Sequence, residues 1–156
     1  MTAQTTISDE ELQALVYEIL ADHGFVRMQN KLYKEEADTT LLVTVQKSCC
    51  SSASNINLAV FIPSLVEAVT EPRSLSWGHL QTRLCVLSED NDLFLALDIM
   101  EPMTDDERRA IIERAMKDFG LPWFDNLNSK AKIKSEIENG ALNPKHHPLG
   151  SQAAAL

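Results

Sequence analysis

The sequence predicts an α+β domain with an N-terminal helix, a mostly antiparallel sheet of about six strands, and two C-terminal helices packed on one face. Three observations predict it. A capped amphipathic segment opens the chain at Ser8. Alternating apolar and polar runs fill the middle and are joined mostly by short polar turns, and short links make antiparallel pairs. A second capped amphipathic segment begins at Thr104. Strands in a run with helices at the ends give α+β.

Ser8-Asp9-Glu10-Glu11 has the form of a capping box, in which hydroxyl and carboxylate satisfy each other's backbone amides. Leu12, Leu15, Val16, Ile19 and Leu20 then recur at helical spacing and form one apolar face. Gly24 suits the left-handed residue that ends a helix, and Phe25 can fold back onto it.

Phe25–Met28 and Leu32–Glu36 read as a hairpin around Gln29-Asn30-Lys31. A turn at Asp38-Thr39 leads to a third strand through Leu41, Val43 and Val45, which ends in a polar Ser/Cys loop. Asn55–Ile62 alternates most cleanly, with Ile56, Leu58, Val60 and Ile62 on one side. The two prolines between Pro63 and Gly78 argue against a long helix there, leaving a loop with one helical turn around Leu65–Val69. His79–Leu87 and Leu93–Ile99 read as two more strands about a turn at Ser88–Asp92.

Thr104-Asp105-Asp106-Glu107 is a second capping box. The helix after it is expected to bury Ile111, Ile112, Ala115, Met116 and Phe119 and to stop at Gly120 before Pro122. Asn128 or Ser129 caps a last helix ending near Gly140. Residues 1–142 are expected to form one domain and 143–156 a loosely ordered tail.

Charge and composition narrow the function. A net charge of −9 argues against non-specific nucleic-acid binding, which needs Lys and Arg to displace phosphate counterions. The acidity serves solubility, or steers in a protein partner with a basic surface. The longest apolar stretch, Leu58–Ile62, is far shorter than the roughly 20 residues of a membrane-spanning helix. The N-terminus lacks the charged and apolar regions of a signal peptide, so a cytoplasmic location and no membrane partner are expected. Cys49, Cys50 and Cys85 are an odd set without metal-site spacing. They read as structural or incidental thiols, and no metal or cofactor is expected. His146-His147 lacks further ligands.

Several short motifs occur in order. They are His23-Gly24-Phe25, Leu32-Tyr33, Val45-Gln46-Lys47-Ser48, Asn57, His79-Leu80-Gln81-Thr82-Arg83-Leu84 and Gly120-Leu121-Pro122-Trp123-Phe124-Asp125. Together, across residues 10 to 140, the chain resembles the bacterial family catalogued as domain of unknown function 4304. The resemblance implies an α+β domain and brings no activity with it. Cys49-Cys50 and Asp92-Leu93-Phe94 depart from the pattern of that family.

No phosphate loop, HExxH or GxSxG is present. Asp105-Asp106-Glu107 and Glu10-Glu11 open helices, where the dipole favours acids. The remaining candidates come from strand parity. If the apolar sides of the strands face the helices, Thr44, Gln46, Asn55, Asn57, His79, Gln81 and Arg83 share the other face. Gln46, Asn57, Trp77, His79 and Arg83 are the binding candidates, with Arg83 suited to a carboxylate or phosphate. An antiparallel sheet with one merely wetted face gives the same pattern. No catalytic residue is assigned. The expected function is non-catalytic protein binding inside a bacterial cell, immunity- or adaptor-like. The alternatives are a small-molecule binder or enzyme using the polar sheet face, and a secretion-chaperone-like dimer. Nothing in the sequence sets the oligomeric state.

Overall fold

The computed structural model describes residues 5–65 and 78–143. Helix α1 spans Asp9–Ala21. Five strands follow: β1 (Val26–Met28), β2 (Lys31–Glu35), β3 (Thr40–Lys47), β4 (Ser54–Phe61) and β5 (Leu80–Arg83). They form one sheet in sequence order, every neighbouring pair antiparallel. Then come α2 (Leu84–Ser88), α3 (Asn91–Ala96), α4 (Asp105–Ala115), a π turn (Met116–Gly120), α5 (Leu121–Asp125) and α6 (Lys130–Glu138). The α+β class holds, with five strands rather than six.

The Ser8 hydroxyl accepts the Glu11 amide at 3.1 Å and starts α1; the return bond from the Glu11 carboxylate is not made. Leu12, Val16, Ile19 and Leu20 are buried, and Tyr17 joins them. Leu15 lies at the edge of the stripe and is only partly buried. Gly24 ends the helix at φ +87°, with its amide on the Ala21 carbonyl. Phe25 turns inward onto Phe124, ring centroids 5.7 Å apart.

In the sheet, Leu32, Leu41, Val43, Ile56, Leu58, Val60 and Leu80 point to one side and meet the apolar stripes of the helices in one core. The sheet spends its apolar parity on the helix layer, as the alternation requires. The β1–β2 turn is Gln29-Asn30, with Gln29 at φ +57°, so Lys31 belongs to β2 and not to the turn.

Two expected strands are corrected. Only Leu80–Arg83 of His79–Leu87 is strand; the chain then enters α2, which ends on left-handed Glu89. Leu93–Ile99 is not a strand: Leu93, Ala96 and Leu97 are buried at i, i+3 and i+4 about α3. The acidic segment between them joins two helices instead of two strands. Asp90 caps α3, its carboxylate accepting the Asp92 amide at 2.9 Å. Asp and Asn serve caps and turns by the same side-chain bonds, which is why the segment looked like a hairpin turn.

The Thr104–Glu107 capping box is complete, with bonds of 3.1 and 3.2 Å. The helix does not stop at Gly120. It passes through the π turn into α5, the Leu121 amide reaching back to the Met116 carbonyl. Gly120 has ordinary helical dihedrals. An ideal Cβ there would lie 2.8 Å from Met116 Cε, the end of a flexible side chain. The extra residue of the π turn rotates the stripe, and Phe119 is left 39% exposed. Ser129 caps α6. The α6 start is tied to the β2–β3 turn, Lys130 N–H donating to Asp38 and the Thr39 hydroxyl to the Asn128 carbonyl. A 3₁₀ turn occupies Pro63–Leu65. The rest of the turn expected around Leu65–Val69, and residues 144–156 of the expected tail, lie outside the described residues.

Truncation should follow this packing. Ile19→Ala should cost about 2–5 kcal/mol, and half-buried Leu15→Ala clearly less. Denaturant midpoints of the two variants check the order. Gly24→Ala should cost about 1 kcal/mol or more through its left-handed backbone. Gly78→Ala should cost more than Gly24→Ala, because its Cβ would stand 2.6 Å from the Val60 carbonyl oxygen, with backbone that cannot step aside. Equal midpoints for the two glycine variants would contradict that close approach.

Candidate functional site

The β3–β4 register pairs Thr44 with Asn57 and Gln46 with Asn55; β5 adds Arg83 opposite Asn57, and β2 adds Lys31 opposite Thr44. Directly opposed residues point to the same side. Lys31, Thr44, Asn57 and Arg83 therefore form one row across four strands, on the face away from the helix layer. Gln46 and Asn55 form the next row. With strands about 4.8 Å apart, the two cations stand about 14 Å from one another across the row.

Two of the candidates touch. The Asn57 side-chain amide donates to Gln46 Oε1 at 2.9 Å. That bond fixes both side chains and leaves the Gln46 amide nitrogen and the Asn57 carbonyl oxygen directed to other partners. Arg83 is exposed, and no described residue pairs with its guanidinium. Asn55 accepts weakly from the Cys85 thiol at 3.7 Å. Burial holds the Lys31 ammonium below the ordinary lysine value.

His79 is not on this open strip. It is fully buried at the bend before β5, where Nδ1 accepts the Ile62 amide at 3.0 Å. Its ring lies 5.1 Å from Phe61. The imidazole takes the place of a ladder partner just past the end of β4. Phe61, Leu42 and Ala59 form a small buried cluster on the same sheet face, with Tyr33 against it. The face thus divides into an apolar end near Phe61 and a polar end at Gln46, Asn57 and Arg83. Gln81 lies between them and donates to the Gly78 carbonyl. Trp77 lies outside the described residues.

Sequence reading missed two cations. Lys31 was hidden by its assignment to a turn; a two-residue turn puts it in register with Thr44. Arg108 is fully buried. Its guanidinium donates to the carbonyls of Ala96 at 2.6 Å, Asp98 at 3.1 Å and Glu101 at 2.7 Å. Burial lowers its pKa, while Asp105, Asp98 and Glu101 oppose that shift. The signal was its spacing: Arg108, Ile112 and Ala115 share one helical stripe.

The negative charge gathers elsewhere. A cleft of about 360 Å³ between α1 and α4 is lined by Glu11, Glu18, Asp105 and Asp106 around Leu15. Arg108 and Arg109 line it as well, Arg109 paired to Glu18 at 3.1 Å and Glu113 at 2.8 Å. Among the described residues, no cluster of three or more His, Cys, Asp or Glu is placed to hold a metal. No described helix is long and apolar enough to cross a membrane.

The two arginines should behave oppositely. Arg83→Ala should change stability by about 0–1 kcal/mol, as for an exposed charge. Arg108→Ala should cost about 3–5 kcal/mol, because it strips a buried charge-assisted network and takes the guanidinium from three carbonyls, of which that of Asp98 keeps a backbone donor, the Glu101 amide. Thermal melts of the two variants measure this contrast directly.

Searches of curated proteins and of solved structures each found no match. The family model described as a domain of unknown function (DUF4304) matches residues 16–126, from the middle of α1 to the end of α5, and the chain belongs to that family.

Proposed function

We propose that this protein is a non-catalytic protein-binding domain of the bacterial cytoplasm, immunity- or adaptor-like, and that the polar end of its open sheet face is the recognition surface. The observation that carries the reading is the Gln46–Asn57–Arg83 set: two amides locked to each other beside an exposed guanidinium that no described residue pairs with. Amides offer both donors and acceptors and a guanidinium a planar fork of donors, so these groups are suited to holding a partner by hydrogen bonds and charge. A fixed donor, a fixed acceptor and a planar cation on adjacent strands lose little freedom when a partner seats on them.

Charge acts at two ranges. The net −9 steers a partner whose surface is basic on the whole. At contact, Arg83 favours a carboxylate of that partner on the strip, while its basic groups face the acidic flank between α1 and α4. Nothing in this arrangement favours nucleic acid, whose phosphates the acidic flank repels.

Affinity capture from the lysate of the host, with wild type and Arg83→Ala in parallel, tests the reading. Wild type should retain one stoichiometric protein that Arg83→Ala loses at unchanged melting temperature. A protein retained equally by both would remove Arg83 from the contact. A metabolite retained in place of a protein would turn the strip into a small-molecule site.

A further inference from the structure

The β3–β4 connection carries chemistry that the polar strip does not use. Cys49 and Cys50 are consecutive, both exposed, with their sulfurs 3.1 Å apart. Their loop is braced. The Ser48 amide donates to the Ala53 carbonyl at 3.3 Å, and the Cys50 amide to the Ser48 hydroxyl at 3.2 Å. Its far side is fastened to the segment after α3. Ser54 N–H donates to the Leu97 carbonyl, Ile99 N–H to the Ser52 carbonyl, and the Ser52 hydroxyl to Asp98. Two thiols are thus presented side by side to solvent on a loop tied to the fold.

We infer that Cys49 and Cys50 form a two-sulfur capture site for a thiophilic trivalent centre of the arsenic(III) class. Sulfur is a soft ligand and selects soft centres. An atom bonded at about 2.3 Å to both sulfurs would see them at an angle of about 85°. That bite suits a pyramidal trivalent centre, whose bond angles lie near a right angle. It is too narrow for tetrahedral zinc, which also asks for four ligands. Two sulfurs held together make the second bond intramolecular, so a dithiol outcompetes separate thiols.

The step balances without an oxidant. With an aryl arsenoxide, two S–H bonds break and two As–S bonds form, closing one ring through Cys49, Cys50 and arsenic. The oxygen leaves as water with both thiol protons. Arsenic stays trivalent and neither sulfur is oxidised. The hydrogen bond with Cys49 holds the Cys50 thiol above its ordinary pKa, and sulfur bonds to arsenic as the thiolate formed when the proton leaves with the departing oxygen. Cys85 is the internal control: it is half-buried on α2, with its thiol turned to Asn55.

Phenylarsine oxide added to the reduced full-length protein, read by intact mass, tests the site. Wild type should gain one adduct, the reagent less one water. The adduct should survive excess glutathione and be removed by dimercaptopropanol. Cys49→Ser and Cys50→Ser should each lose the glutathione-resistant adduct, and Cys85→Ser should keep it. An equal concentration of zinc should leave the yield unchanged. A resistant adduct in Cys49→Ser, its loss in Cys85→Ser, stripping of the wild-type adduct by glutathione, or displacement by zinc would each overturn the assignment.

Discussion

The structure depends on the eight-pair register between β3 and β4, from Thr40 opposite Phe61 to Lys47 opposite Ser54. A slip of β4 by one residue against β3 would turn Ile56, Leu58 and Val60 to the outer face and bring Asn55 and Asn57 toward the core. Burial of an aliphatic side chain is worth about 1.5–3 kcal/mol, so several such reversals together forbid the slip. Everything outside this ladder inherits its parity. β2 and β5 join its two sides, and the described helices cover the face that the ladder makes apolar. The polar strip is a consequence of the same parity.

A second constraint holds the helix layer to itself. Arg108 projects from α4 into the core and gathers carbonyls from the end of α3 and the connection that follows. The Asp98 carbonyl also accepts the Glu101 amide at 3.2 Å, and a buried carbonyl left without a donor is costly. One guanidinium, with its fork of donors, serves all three carbonyls. A lysine would reach fewer in that geometry. The short α3 thus leans on α4 for its closure, and the segment that braces the Cys49-Cys50 loop lies next to that closure.

Much of this was legible in the residues. Ser8, Gly24, Thr104, Ser129 and Gly140 marked helix ends through side-chain and backbone chemistry that is local and so visible in sequence. Val43, Ile56, Leu58 and Val60 revealed the inner face by alternation alone. The failures share a cause. Leu84–Ser88 and Leu93–Leu97 are apolar runs of strand length, and periodicity does not separate a short buried helix from a strand. Tertiary contacts decided them. Likewise, parity put His79 in line with Gln81 and Arg83 only while the strand was taken to include it. Once β5 begins at Leu80, His79 belongs to the bend, and Ile62 claims its Nδ1. The Asn57–Gln46 bond was not legible, since it joins diagonal neighbours whose register only the folded sheet defines.

The functional account rests on the polar end of the outer sheet face meeting solvent while the inner face is dry. Relaxation enhancement by a soluble paramagnetic agent tests this directly in the free protein. The side-chain amide protons of Gln46 and Asn57 and the guanidinium protons of Arg83 should relax strongly. The methyl groups of Ile56, Leu58 and Val60, one residue to either side of Asn57 or further along the same strand, should be protected. Protection of the Gln46 and Asn57 amides equal to that of those methyl groups would mean that the strip is covered, and would contradict the account.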